Sequence, residues 1–310
     1  MFLLSSVVVG GLFVKRCCYY SKSQKIFQRE AIVMASTGRK ISKKIQPREQ
    51  MDGEGARVFR SIGTTSLRNL DPFLMLDEFS VKAPAGFPDH PHRGFETVTY
   101  MLEGFFRHED NRGHSGVIGP GDVQWMTAGR GIIHSEMPQG NQVGHGLQLW
   151  VNLAAKDKMA EPKYQELVSK DIPCATTDLY MVKVVAGRFQ DVQGKVYTRT
   201  PSMFLDIEMK PGCELKPEIP PHYRGFIYVI QGKALFGKEA SLGNAHELLI
   251  LDDGADNAII CQTKEDGCRF VLVAGQPLNE PIVQYGPFVM TSQEDIKQAF
   301  QDYQSGKFSY

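Results

Sequence analysis

The chain has 310 residues, 42% of them hydrophobic and 23% charged, and its 35 basic side chains balance 35 acidic ones. Those proportions suit a folded globular protein of one large domain or two ordinary ones. A balanced charge offers no global field to draw nucleic acid or a membrane surface, so direct nucleic-acid binding is not expected and any role at DNA would run through a protein partner.

Residues 2–14 (FLLSSVVVGGLFV) are almost wholly apolar; Lys15, Arg16, Cys17 and Cys18 follow, and no acidic residue precedes Glu30. The run falls short of the roughly 20 residues of a membrane span. It matches a secretory signal only in part, since no basic side chain precedes it, and it shares the acid-poor character of a mitochondrial presequence. An extended start, with Met34-Ala35-Ser36 as an alternative initiation point, is an equal reading. The basic residues Arg39, Lys40, Lys43, Lys44 and Arg48 read as a solvated tail rather than a nuclear-import signal. Residues 1–44 are therefore expected to be an unfolded extension, 45–160 a first domain and 161–310 a second, with folded sequence legible from near Ala56. The six cysteines fall at irregular intervals without a Cys-x-x-Cys pair, which points to scattered thiols in a reducing compartment rather than a disulfide framework.

From about 56 to 155 the sequence is punctuated by glycine, with Gly-Pro-Gly at 119–121 and Gly-Arg-Gly at 129–131. Between these turn signals, Thr97–Glu103, Asp122–Met126 and Leu147–Leu153 read as strands. Residues 156–180 carry Pro162 and Pro173 and read as a connection with at most a short helix. Strand-like runs resume at Tyr180–Ala186, Met203–Glu208, Phe226–Ile230, Glu247–Leu251, Asn257–Cys261 and Phe270–Ala274. Many short strands without alternating helices predict an antiparallel all-β fold. Thr291-Ser-Gln-Glu294 is a capping-box pattern and predicts a C-terminal amphipathic helix over 292–304, packing Ile296, Phe300 and Tyr303.

Pro91-His-Arg-Gly-Phe95, running into a strand that ends at Gly104, has an echo in Pro221-His-Tyr-Arg-Gly-Phe226, running into one that ends at Gly232. That repetition predicts two copies of one barrel. The second copy keeps a lone His222 and has no partner histidine, so it reads as the same scaffold without a metal.

The first copy carries the chemistry. His90-Pro-His92 and His134-Ser-Glu136 each place two donors two residues apart, and residues two apart in a strand share one face. On neighbouring strands they would bring three imidazoles and a carboxylate to one point. That donor set suits Fe, Mn, Ni, Cu or Zn better than Ca or Mg. Glu96, four residues after His92, falls on the same face if the strand is regular, either as a further ligand or as an acceptor that fixes an imidazole tautomer. His108, His114 and His145 lie in polar, glycine-rich sequence and read as surface or turn residues.

With His90-Pro-His-Arg-Gly-Phe-Glu-Thr and Thr127-Ala-Gly-Arg-Gly-Ile-Ile-His-Ser-Glu-Met-Pro138 in view, the chain resembles the pirin family of the cupin superfamily. Asn69-Leu-Asp-Pro-Phe73, His145-Gly-Leu-Gln-Leu-Trp-Val-Asn-Leu153, Val196-Tyr-Thr-Arg-Thr-Pro201 and Tyr285-Gly-Pro-Phe-Val-Met290 extend the likeness over about residues 45–304. The resemblance implies a bicupin of two jelly-roll-like antiparallel β-barrels, with one iron, Fe(2+)/Fe(3+), in the N-terminal barrel on His90, His92, His134 and Glu136. It further implies a redox-sensitive coregulator of NF-κB-type transcription factors with quercetin 2,3-dioxygenase activity, located in nucleus and cytoplasm, or in the mitochondrion if the extension is a presequence. The alternative is mainly a flavonol-cleaving metal dioxygenase with no transcriptional role. In either case the small-molecule partners are a flavonol-like substrate and O2, and Glu136 or Glu96 would accept the substrate's hydroxyl proton. A chain that buries its own inter-barrel face is expected to be a monomer.

Overall fold

Among residues 38–254 and 256–309, which a computed structural model describes, strands make up about half and one α-helix follows them. The apolar N-terminal run, Cys17, Cys18 and the alternative start at Met34 lie outside the described residues.

The N-terminal half stacks two antiparallel sheets. One runs from edge to edge through Lys163–Leu167, Val123–Thr127, Phe95–Glu103, Gly144–Asn152, Phe73–Val81, Ala56–Ile62 and Arg48–Asp52. The other runs through Phe87–His92, Ile132–Pro138, Phe106–Asp110 and Ser115–Ile118. Val58, Phe79 and Met101 of the first sheet meet Phe106 and Ile118 of the second in a core between them. The C-terminal half is built on a ten-stranded sheet centred on Ser202–Met209, Cys268–Gly275 and Arg224–Phe236. The all-β, cupin-type expectation holds, with one difference: the sheets end in edge strands and do not close into barrels.

Strand Phe95–Glu103 explains how the halves join. Every residue but Glu103 is buried, because both faces of the strand are covered. Val98 and Tyr100 face the C-terminal sheet, where Phe204, Phe226, Tyr228 and Val271 complete a shared core. Two hydrogen bonds cross this interface in opposite directions: Tyr100 Oη donates to Asp206 at 2.5 Å and Tyr228 Oη to Glu78 at 2.6 Å. Burial, then the adjacent carboxylate, pushes both phenols up, so each stays a donor.

Both expected domain boundaries are crossed. Ile41–Ile45 pairs with Leu248–Leu251 in the C-terminal sheet. The Arg39 guanidinium is buried and donates to the carbonyls of Asp256 and Tyr223 at 2.9 and 2.5 Å. Residues 39–44 are thus part of the fold and not a solvated tail, and folded structure begins well before Ala56. Strand Lys163–Leu167, expected in the connection, is an edge of the N-terminal sheet. Helix Gln293–Gln304, capped by the Ser292 side chain, returns to the N-terminal half: Ile296 and Ala299 pack with Phe288 and Phe308 against Ile133. The expected strand Asn257–Cys261 shrinks to one bridge at Ala258 and the short strand Cys261–Gln262.

The internal echo is structural. Gly104 and Gly232 have φ of +69° and +76°. A Cβ at either would lie 2.2 Å from the Val143 carbonyl oxygen or 2.1 Å from that of Gly267. Both positions therefore demand glycine for the same steric reason, but only the first strand stops there; Gly232 lies inside Arg224–Phe236, where the strand trades Cys268–Gly275 for Ser241–Asn244 as its partner.

Candidate metal centre

Proline within a strand removes a ladder donor and confines it to an edge. Phe87–His92 contains Pro88 and Pro91 and is indeed the edge of the four-stranded sheet, beside Ile132–Pro138. The register sets His134 directly opposite His90 and Ile132 opposite His92. His90 and His92 share a face, and the three rings converge with centroids 4.5 to 5.1 Å apart. One ring nitrogen of each histidine lies within 4.8 Å of the others.

Burial and hydrogen bonding set the imidazoles up as ligands. His90 Nδ1 sits 2.8 Å from the Pro88 carbonyl, which can only accept, so Nδ1 carries the proton and Nε2 presents its lone pair. His92 and His134 are held well below the ordinary histidine range, first by burial and then by the neighbouring His90. Both nitrogens of His134 and Nδ1 of His92 are buried without a hydrogen-bond partner. Buried polar atoms are normally satisfied, so unpartnered lone pairs converging on one point fit a transition ion.

Glu136 is placed differently from the histidines. It keeps the alternation of its strand and is buried on the face of His134, yet its oxygens are not part of the three-imidazole group. It is buried in the same cavity wall, where Oε1 accepts from Thr99 Oγ1 at 2.8 Å and Oε2 from Gln148 Nε2 at 3.0 Å. Sequence spacing assigns no role to Thr99 and Gln148. The signal that could find them is a polar pair, directly opposed in register, each residue between apolar neighbours, Val98 and Tyr100 on one strand and Leu147 and Leu149 on the other.

Glu96 does not share the face of His92. Arg93 and Gly94, the latter at φ +90°, interrupt the strand and break the counting. Glu96 points instead towards the C-terminal half, where its oxygens accept from Trp125 Nε1 at 2.9 Å and Thr127 Oγ1 at 2.6 Å. Burial pushes its carboxyl up despite these bonds. Nor are the remaining histidines simply superficial. His108 is 1% exposed, His114 is half-buried against Glu166, and His145 Nε2 lies 2.7 Å from the buried Glu78.

His90 and His92 line a cavity of about 810 Å³ whose walls also include Phe79, Leu74, Trp150, Gln148 and Glu136, with His134 buried behind them. That volume lies within the range of small-molecule sites, and the lining joins apolar faces to a few directed polar groups. Trp150 and Phe95 pack edge-on to His92, with centroids 5.2 and 5.1 Å away, and hold its ring.

Residues 55–151 match the Pirin family and residues 204–309 the Pirin C-terminal cupin domain. A pirin-like protein of Solanum lycopersicum is 55% identical over 273 residues, covering 88% of this chain and 94% of that one. Among solved structures, a quercetin 2,3-dioxygenase from Acinetobacter baumannii is 32% identical with a TM-score of 0.80, covering 87% of this chain and 98% of that one. A bacterial pirin from Escherichia coli, solved in complex with nickel(II), is 20% identical with a TM-score of 0.62 over 74% of this chain and 95% of its own, a likeness of fold.

Proposed function

The chain belongs to the pirin family, and from that premise we propose that it is a metal-dependent dioxygenase that opens flavonol-type rings, the quercetin 2,3-dioxygenase reaction. The observation that carries this reading is the convergence of three imidazoles beside a cavity large enough for a polyphenol, two of them, His90 and His92, in its wall. The likeness to a solved quercetin 2,3-dioxygenase supports it. His90, His92 and His134 would hold the ion, with iron the assignment and one ion per chain.

A redox-active divalent ion in that position would supply Lewis acidity towards a substrate hydroxyl and a path for electrons to dioxygen. The protein's own groups do the rest. Phe79 and Trp150 offer aromatic faces to a planar substrate. Glu136 accepts the hydroxyl proton on a carboxylate oxygen, and Thr99 and Gln148 keep that carboxylate aimed into the cavity before substrate arrives.

The test is loss of quercetin absorbance under air by iron-loaded protein, with His134→Ala as control. Turnover in the native protein and none in the variant is the expected result; identical traces would reject the assignment. The coregulator reading uses the same three histidines: one added charge on oxidation in a low-dielectric site would alter affinity for an NF-κB-type factor. Equal partner affinity of the ferrous and ferric proteins would dismiss it.

A further inference from the structure

A second set of metal-type donors lies outside the three-histidine centre: His108, His114 and Glu166, whose ligand atoms fall within 4.8 Å of one another. They come from three places in the N-terminal half. His108 is on strand Phe106–Asp110, His114 follows the turn to Ser115–Ile118, and Glu166 is on edge strand Lys163–Leu167 of the opposing sheet. The turn fixes His114, because Asp110 Oδ1 accepts from the backbone amides of Arg112 and His114 at 2.9 and 2.8 Å. The Tyr164 ring stacks on His114 at 4.2 Å and orients its imidazole.

All the donors aim at one oxygen. Glu166 Oε1 is 2.9 Å from His114 Nε2, 2.9 Å from His108 Nε2 and 3.0 Å from Gln124 Nε2. One carboxylate oxygen cannot accept well from three directions. The loser is His108: its side chain is 2% exposed, and neither ring nitrogen has an aligned hydrogen bond. Its place is kept open by Gly116, directly across the ladder, where a Cβ would lie 2.5 Å from His108 Nε2. A buried imidazole with unpaired nitrogens, turned towards a carboxylate and a second imidazole, is better satisfied by a cation between them than by the carboxylate alone.

We propose that His108, His114 and Glu166 form a second site for a divalent first-row transition ion, one that takes its remaining ligands from water and clips the two N-terminal sheets together along one edge. Two imidazoles and one carboxylate with open positions suit Zn(II), Co(II) or Fe(II). His108 belongs to the four-stranded sheet, His114 to the turn joining two of its strands, and Glu166 to the seven-stranded sheet. The ion therefore cross-links elements that otherwise meet through side-chain packing, and folding and binding become coupled there.

The experiment is titration of metal-free, reduced full-length protein with Co(II), read by its visible spectrum and by thermal melting. Native protein is expected to take up two equivalents, the second raising the melting temperature. His114→Ala, a half-buried hairpin position, and Glu166→Gln should each bind one, with roughly a hundredfold weaker uptake of the second, unchanged circular dichroism and no second melting increment. His134→Ala should lose the other equivalent and keep this one. A single equivalent in native protein overturns the proposal. So does a second equivalent that survives in His114→Ala, which would place it elsewhere on the chain.

Discussion

Arg93 Nη1 donates to Asp302 Oδ2 at 2.9 Å, joining the residue after His92 to the C-terminal helix across 209 positions of sequence. The same guanidinium donates from Nε to the Arg130 carbonyl at 2.6 Å and lies 4.5 Å over the Phe308 ring. One buried side chain thus fixes the end of the strand that presents His90 and His92. The helix is part of the support of the site, although it lies some two hundred residues downstream.

Burial alone would push the Asp302 carboxyl up, but hydrogen bonds from Lys307, Arg93 and Gln298 outweigh it and hold the group at about 2 against an ordinary 3.8. An unfolded chain then binds the proton first as pH falls, so this contribution is complete above 3.8 and is lost between 3.8 and about 2. Asp302→Asn leaves the buried Arg93 uncompensated. It should cost roughly 3 kcal/mol at neutral pH and flatten the acid limb of melting temperature against pH. Parallel profiles for the two proteins would sink the assignment.

Removing His134 should abolish the centre. With two imidazoles left, metal affinity is expected to fall by well over roughly a hundredfold, the upper end of what losing a supporting residue costs. Iron content after gel filtration checks this directly. Retention of a full equivalent by His134→Ala at the same site would mean that the convergence of rings is packing only.

Glu136 separates from the histidines in its expected behaviour. Its oxygens are already held by Thr99 and Gln148, so Glu136→Gln should keep most of its metal, with about a tenfold loss of affinity. Turnover, if the carboxylate takes the substrate proton, should drop by roughly a hundredfold or more. Thr99→Val should shift activity in the same direction and less. Loss of metal from Glu136→Gln in step with His134→Ala would instead make the carboxylate a ligand.

These contrasts mark how far the sequence could be read. The histidine convergence was legible because alternation along a strand is a local rule, and Pro88 and Pro91 announce an edge strand. Glu96 was misplaced because the same rule was carried across Arg93-Gly94, where a glycine at positive φ ends one strand before the next begins. Arg39 and strand Lys163–Leu167 were illegible for another reason. Their partners, the Tyr223 carbonyl and Val123–Thr127, are distant or carry no complementary local pattern. His108 looks superficial among charged neighbours, yet its alternation with exposed Arg107 and Glu109 already points it inward.

Glu96→Gln therefore serves as a counter-test. The side chain faces the C-terminal half and accepts from Trp125 and Thr127. Substitution should leave metal content and turnover within about threefold of native while altering stability by on the order of 1 kcal/mol, one imperfect hydrogen bond. A loss of activity matching that of Glu136→Gln would return Glu96 to the site.

Lys158 makes the sharpest stability prediction. Its ammonium is buried and donates to Gly94 O at 2.9 Å, Asn152 Oδ1 at 2.7 Å and Val289 O at 3.0 Å. It therefore pins the break after His92 to the C-terminal hairpin Val283–Tyr285 and Phe288–Met290. Burial pulls the amine down to about 8 from an ordinary 10.5. Between those values the unfolded chain holds the proton and the folded one does not, so native stability should rise with pH across that window. Lys158→Met leaves three acceptors unpaired and should cost roughly 2–4 kcal/mol at neutral pH. Methionine does not titrate, so the deficit should widen from pH 8 to pH 10 in urea unfolding; a gap that narrows would show that the amine is charged in the fold throughout.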